Sequence, residues 1–197
     1  VVVGTGLVIG VGSMVSSINQ AIGSWIDTTV VGDLFITTPV SFPADFGPRA
    51  EALEGVDVAS GVGIRVVRFE SEDQPRGRSV ALVLADPARF HPDTGFGRFQ
   101  YVAGQGDDRS GYAGLASGEQ VLVANTMRDR HGFERGATIR LRTASGFEEF
   151  PVAGVVVDFT GGGEAVVASI ERLQDFGGGT PDLFVLTVEP GADPEAV

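Results

Sequence analysis

The chain has 197 residues, 43% of them hydrophobic and 20% charged, a balance that suits one globular domain or two small ones sharing a core and excludes wholesale disorder. Asp and Glu total 26 against 14 basic residues, all Arg, and the resulting charge of −12 repels phosphate backbones, so nucleic acid is not expected as a partner. With no Cys and only two His, disulfides, thiolate metal sites, cysteine nucleophiles and His-rich centres are all ruled out.

The chain opens on Val1 and carries no charge before Asp27. Residues 1–15 (VVVGTGLVIGVGSMV) are almost wholly apolar. As a helix they would span about 22 Å, short of the roughly 30 Å hydrocarbon core. The expectation is the second half of a transmembrane helix, in a chain that is a fragment or a processed product. A buried core strand and helix is the bland alternative. Val11, Val15, Ile18, Ile22, Trp25 and Ile26 recur at intervals of three and four, so the helix is expected to continue as an amphipathic stalk to residue 26. The first charges beyond it, Asp27 and Asp33, are acidic, and the first basic residue is Arg49. Loops retained in the cytoplasm carry Arg and Lys near the membrane, so this flank points outward.

Gly32-Asp33 opens a strand over 34–38, stopped by Pro39, and a short helix is expected over 43–53 with Gly55 as its stop. Residues 56–69 read as one long strand, or two joined at Gly61 or Gly63. After a charged turn at 70–78 comes a strand at 79–85, and Asp86-Pro87 begins a helical turn. Residues 104–111 read as a polar loop and 119–124 as a strand. A short helix follows at 125–131, with Asn125 as N-cap and Gly132 as C-cap. Alternation in 138–143 (TIRLRT) marks a half-solvated strand, which Ser145-Gly146 turns into another at 147–159. A strand at 164–168, a helix at 169–176, a strand at 182–188 and the first turn of a helix at 193–197 complete the chain. Strands outnumber helices in mixed order, which favours α+β.

Candidate sites are few. The glycines of residues 1–10 (VVVGTGLVIG) suggest a dinucleotide-binding turn, but Asp33 precedes its strand and cannot reach a ribose from there. Residues 158–164 (DFTGGGE) follow a strand but lack the Lys and Ser/Thr of a phosphate loop. His91 stands beside Asp93 without any Gly-x-Ser-x-Gly elbow, and His131 sits where a helix end favours positive charge. Asp107-Asp108 and Glu148-Glu149 lack calcium-loop spacing and read as surface. No residue qualifies as catalytic, cofactor-binding or metal-ligating; no enzyme and no cofactor is expected.

In the order of these segments the chain resembles the extracytoplasmic domain of the MacB/LolC/FtsX-like ABC-transporter permeases. The resemblance rests on Ser24-Trp25-Ile26 leading into Gly32-Asp33-Leu34-Phe35-Ile36, on residues 118–123 (GEQVLV) followed by 133–139 (FERGATI), on 150–158 (FPVAGVVVD) and on 188–194 (VEPGADP). Ala137 departs from the acid that commonly follows the glycine of the Gly136 turn. The resemblance implies a two-lobed α+β domain behind the membrane and stalk segment of residues 1–26. A porter-like lobe would comprise 27–74 and 159–197, with a β-rich lobe of 75–158 inserted between. It implies a non-catalytic module at the cell membrane, on the extracytoplasmic side. That module would couple a cytoplasmic ABC ATPase, which binds the ATP, to export or to an outer partner. Its partners would be the ATPase, a second permease chain, and a lipoprotein cargo or extracytoplasmic protein. Ile18, Ile22, Trp25 and Ile26 are then expected to form the coupling stalk. A membrane-anchored exported ligand- or protein-binding domain unrelated to any ATPase is the alternative.

Overall fold

The computed structural model describes residues 32–71, 74–89 and 98–192. The segment of residues 1–26, His91 and the turn expected at 193–197 lie outside the described residues. Among the described residues thirteen elements follow one another in mixed order, the α+β pattern expected. Helices are α1 (Phe46–Glu51), α2 (Asp108–Ala116) and α3 (Asn125–His131). Strands are β1 (Leu34–Thr37), β2 (Val56–Ser71), β3 (Gln74–Ala85), β4 (Val121–Ala124), β5 (Thr138–Arg142), β6 (Phe147–Val156), β7 (Ala165–Ser169) and β8 (Leu183–Val188). Two 3-10 segments, Thr160–Gly163 and Ile170–Phe176, flank β7.

The eight described strands join one sheet in the order β1-β8-β2-β3-β7-β4-β6-β5, and β2 also pairs with β5. That last contact, Phe69 opposite Leu141 and Glu70 opposite Arg140, closes β2, β3, β7, β4, β6 and β5 into a ring. Closure removes exposed strand edges and lets side chains fill the interior. Strand β2 serves both parts of the sheet. Its first half pairs with β8 from Val56 to Val62, and its second half pairs with β3 from Val62 to Ser71. Sequence left open whether this stretch was one strand or two; it is one. Gly61 and Gly63 do not break it, because they answer a packing need. A Cβ at Gly61 would meet Pro181 Cγ at 2.6 Å, and one at Gly63 would meet Leu173 Cδ1 at 2.8 Å.

Three apolar clusters hold these layers. The largest carries Phe69, Leu82, Val121, Val123, Ile139, Leu141, Val166 and Ala168. Leu122, Val156 and Val167 join Phe99, Tyr112 and Leu115 in a second cluster beneath α2. Neighbouring residues on β4 and β7 thus face different clusters, which is why VLVA and AVVAS read as unbroken apolar runs. The third cluster lies apart, where Phe42, Ala50, Val56, Ala59, Phe184 and Leu186 pack α1 against β1, β8 and the start of β2.

Several expectations shift in detail. The polar loop of 104–111 ends in a helix, α2, that composition concealed: its nine residues hold two glycines, each costing about 1 kcal/mol relative to Ala. What starts it is a reciprocal cap. Asp107 Oδ1 accepts from the Ser110 amide at 2.8 Å, while Ser110 Oγ accepts from the Asp107 amide at 3.3 Å. Asn125 is the first residue of α3 rather than its cap; Ala124 holds the cap position without a side-chain bond, and Gly132 ends the helix at φ 73° as expected. Helix α1 ends at Glu51, with Ala52 as its C-cap, before Gly55 is reached. The segment after β7 is a 3-10 helix, capped by Ser169 and closed by Gly177 at φ 79°. The charged stretch at 70–78 is mostly strand among its described residues, with Ser71 opposite Gln74.

Candidate functional site

The residues proposed from sequence as the stalk, Ile18, Ile22, Trp25 and Ile26, lie outside the described residues. What the structure does place is the point where that segment joins the domain. The entering chain arrives at Gly32, where any side chain would run into Val185 Cγ1 of β8, so only glycine lets the backbone lie this close. Asp33 follows, its amide donating to the Leu186 carbonyl at 2.9 Å and its Oδ2 accepting from the Val188 amide at 2.8 Å. Strand β1 runs antiparallel to β8, with Leu34 opposite Leu186. The first residue of β1 and the last of β8 therefore sit at the same end, called the base below. A third segment is fixed there, since the Glu189 amide donates to the Gly55 carbonyl at 2.9 Å.

Above the base, one open apolar groove of about 510 Å³ runs between β1 and α1, lined by Leu34, Ile36, Val40, Phe42, Phe46 and Leu53, among others. A second, more polar cleft of about 710 Å³ lies between α2 and the β3 end, where Asp108, Arg109 and Tyr112 face Asp86. Tyr112 is mostly buried, and burial pushes its phenol up from the ordinary value.

The other candidates resolve into structural roles. Residues 158–164 make the turn from β6 to β7, with Asp158 Oδ1 accepting from the Thr160 amide at 2.7 Å and Gly161, Gly162 and Gly163 all at positive φ. Asp107 is the α2 cap, and the Ser110 amide it accepts from, with the Ser110 hydroxyl, lowers its carboxyl pKa. Glu148 bonds Arg172, which reaches Asp175 as well and lies over the Phe150 ring at 5.1 Å. Glu149 extends from β6 towards Arg140. Among the described residues, no three His, Asp or Glu side chains gather as metal ligands.

His131 and Glu164 form a contact that sequence reasoning missed. Glu164 Oε1 accepts from Arg130 Nη1 at 2.8 Å and lies 3.8 Å from both Arg78 Nη2 and His131 Nε2. The hydrogen bond from Arg130, with the charges of Arg78 and Arg130, outweighs desolvation and holds this carboxyl below its ordinary value. The sign of the pH effect follows. A carboxyl whose folded-state pKa is depressed stabilises fully above its unfolded value, about 4.3, and loses that contribution as pH falls through the folded one. The melting temperature of the wild type is therefore expected to drop more steeply between about pH 5 and 3 than that of Glu164→Gln, which cannot titrate there. Parallel curves across that range would remove Glu164 from the acid response.

This fold, a mixed sheet closed into a ring and continued by a small α-covered sheet, is similar to that of solved periplasmic and extracellular domains of transporter permeases. The periplasmic region of MacB from Actinobacillus actinomycetemcomitans superposes with a TM-score of 0.58 at 11% identity, covering 80% of this chain and 70% of that one. The extracellular domain of the ABC-type transporter YknZ from Gram-positive bacteria gives 0.57 at 12%, covering 77% and 75%. A domain of a permease protein from Porphyromonas gingivalis gives 0.55 at 19%, covering 80% and 66%. No curated protein matches the sequence. The chain belongs to the MacB-like periplasmic core domain family, whose sequence model matches residues 1–197. It is thus an extracytoplasmic domain of the kind that ABC transporter permeases carry. Among the described residues no helix is long and apolar enough to cross a membrane.

Proposed function

We propose that this domain carries movement from the membrane to the outer side of the cell, without chemistry of its own. Its motor is a cytoplasmic ATPase acting through the rest of a permease, which pairs with a second permease chain. The observation that carries the reading is the continuity of β2. Sixteen residues of one strand, about 50 Å at roughly 3.3 Å per residue, extend from the base to the far closure of the ring. A displacement at the base travels through the strand pairing of β2, whose register is regular from Val58 to Phe69 and shifts only near its ends, between Val56 and Val58 and between Phe69 and Ser71. On this reading the domain has two lobes, residues 27–74 with 159–197 and residues 75–158, with β2 and β7 from the first completing the ring of the second. The separate apolar cluster under α1 supports the division.

The stalk residues Ile18, Ile22, Trp25 and Ile26 lock the membrane helix to the base. Six residues, 27–32, lie between Ile26 and Asp33, and β-branched Thr28, Thr29, Val30 and Val31 stiffen them. The test is the full permease with its ATPase, comparing wild type with the Trp25→Gly/Ile26→Gly variant. ATP turnover is expected to persist while export, or activation of the outer partner, fails. Unchanged transport per ATP would make the stalk a passive anchor and favour a membrane-anchored binding domain.

A further inference from the structure

Strand β1 is an edge strand of four residues, and its ladder with β8 has Leu34 opposite Leu186 as its last residue pair at the base. Val188, two residues further along β8, would ordinarily seek a backbone carbonyl from the strand beside it. It finds the carboxylate of Asp33 instead, Oδ2 accepting at 2.8 Å, while the Asp33 amide donates to the Leu186 carbonyl at 2.9 Å. One residue thus grips the end of β8 twice, once through its main chain and once through its side chain. The side chain extends the ladder past the point where the backbone stops supplying it. The carboxylate bond joins residues 155 apart in sequence, one at the start of β1 and the other at the end of β8.

We propose that the Asp33 carboxylate is a clasp that ties the entering and leaving strands into a single unit at the base, so that both connections to the membrane move together. The proposal rests on the coupling function above and assigns it a positioning residue. Without the clasp, β8 keeps its pairing with β2 through Leu186, Thr187 and Val188, and β1 keeps its four register pairs. The fold should therefore survive its loss. What changes is whether a pull on residue 32 is felt at Val188 directly or only after β1 has slid or frayed. An anionic acceptor suits the position, because hydrogen bonds to an ionised group are stronger than neutral ones. A neutral amide oxygen would still serve as an acceptor.

The experiment uses the full permease with its ATPase and three variants: Asp33→Ala, Asp33→Asn and Trp25→Gly/Ile26→Gly. Hydrogen exchange followed by mass spectrometry on the peptide carrying Val188 reads the clasp itself, and transport per ATP reads its consequence. In Asp33→Ala, exchange at Val188 should accelerate about tenfold, as loss of one net hydrogen bond predicts. Transport per ATP should fall several-fold with ATP turnover retained, and Asp33→Asn should restore much of both. Unaltered exchange in Asp33→Ala would show that the clasp does not form. Unaltered transport in Asp33→Ala, beside a loss in the Trp25/Ile26 variant, would sink the clasp and leave the coupling function standing. Unaltered transport in all three would remove both.

Discussion

Replacing Phe69 by Ala should cost about 3–5 kcal/mol, the range for removing a large aromatic side chain from a packed core. Phe69 is fully buried in the largest apolar cluster. Its ring meets His131 and Phe133 edge-on, with centroids 5.1 and 5.9 Å away. It is also one of the two β2 residues that close the ring, lying opposite Leu141 of β5. The cavity would thus open at the seam, where among the described residues one other register pair, Glu70 with Arg140, joins the strands. A loss of this size takes a large share of a typical domain stability of about 5–15 kcal/mol. Phe35→Ala is the control, because that ring is 53% exposed on the edge strand. Urea unfolding of the two variants should show a large drop in midpoint for Phe69→Ala and a small one for Phe35→Ala. Equal midpoints would mean that the seam does not depend on Phe69.

A second large effect is expected from a single methyl group. A Cβ at Gly111 would fall inside van der Waals contact of the Tyr101 hydroxyl and ring, so the half-buried tyrosine would have to shift. Its ring is already pressed on Gly106 and Gly154, where added Cβ atoms would lie 3.0 Å from it. Three glycines on α2, β6 and the loop between β3 and α2 thus form a cradle for one tyrosine, which seats α2 on the sheet. Overpacking of this kind costs about 1–3 kcal/mol, so Gly111→Ala should destabilise despite the higher helix propensity of Ala. The Tyr101 hydroxyl is buried without a hydrogen-bond partner among the described residues, and burial raises its pKa. Truncating it removes the nearest contact and leaves the ring carbon that carried it, 2.7 Å from the added Cβ, so the double variant Tyr101→Phe/Gly111→Ala should recover only part of the loss. Additive effects would argue that the cradle does not act as a unit.

How much was legible before the fold was known varies with the range of the interaction. Strands β5 and β8 followed from alternation and apolar runs, since the faces they bury are set by residues two apart. The α+β class followed from the order of such segments. Helix α2 was hidden because Gly111 and Gly114 lower its propensity, while the features that make it, the Asp107–Ser110 cap and the Tyr101 cradle, depend on geometry. Ring closure was not legible, because Glu70 and Arg140 meet across 70 residues of sequence. Asp33 stood in the family-like segment Gly32-Asp33-Leu34-Phe35-Ile36, yet its bond to Val188 cannot be read from either residue alone.

On the proposed function the domain moves as one body from base to far end, and an intramolecular distance reads that motion. The chain has no cysteine, so spin labels can be introduced at chosen positions without first removing native thiols from it. Glu54, exposed beside the base, and Glu149, exposed on β6 opposite Arg140 at the far end of the ring, bracket the length of β2. Pulsed electron paramagnetic resonance on the full permease, with and without bound nucleotide on its ATPase, gives the separation of the two labels in each state. One body predicts the same narrow distance distribution in both states, even as the domain shifts relative to the second permease chain. A distribution that shifts or splits on nucleotide binding would place a hinge within the domain and contradict transmission through a continuous β2.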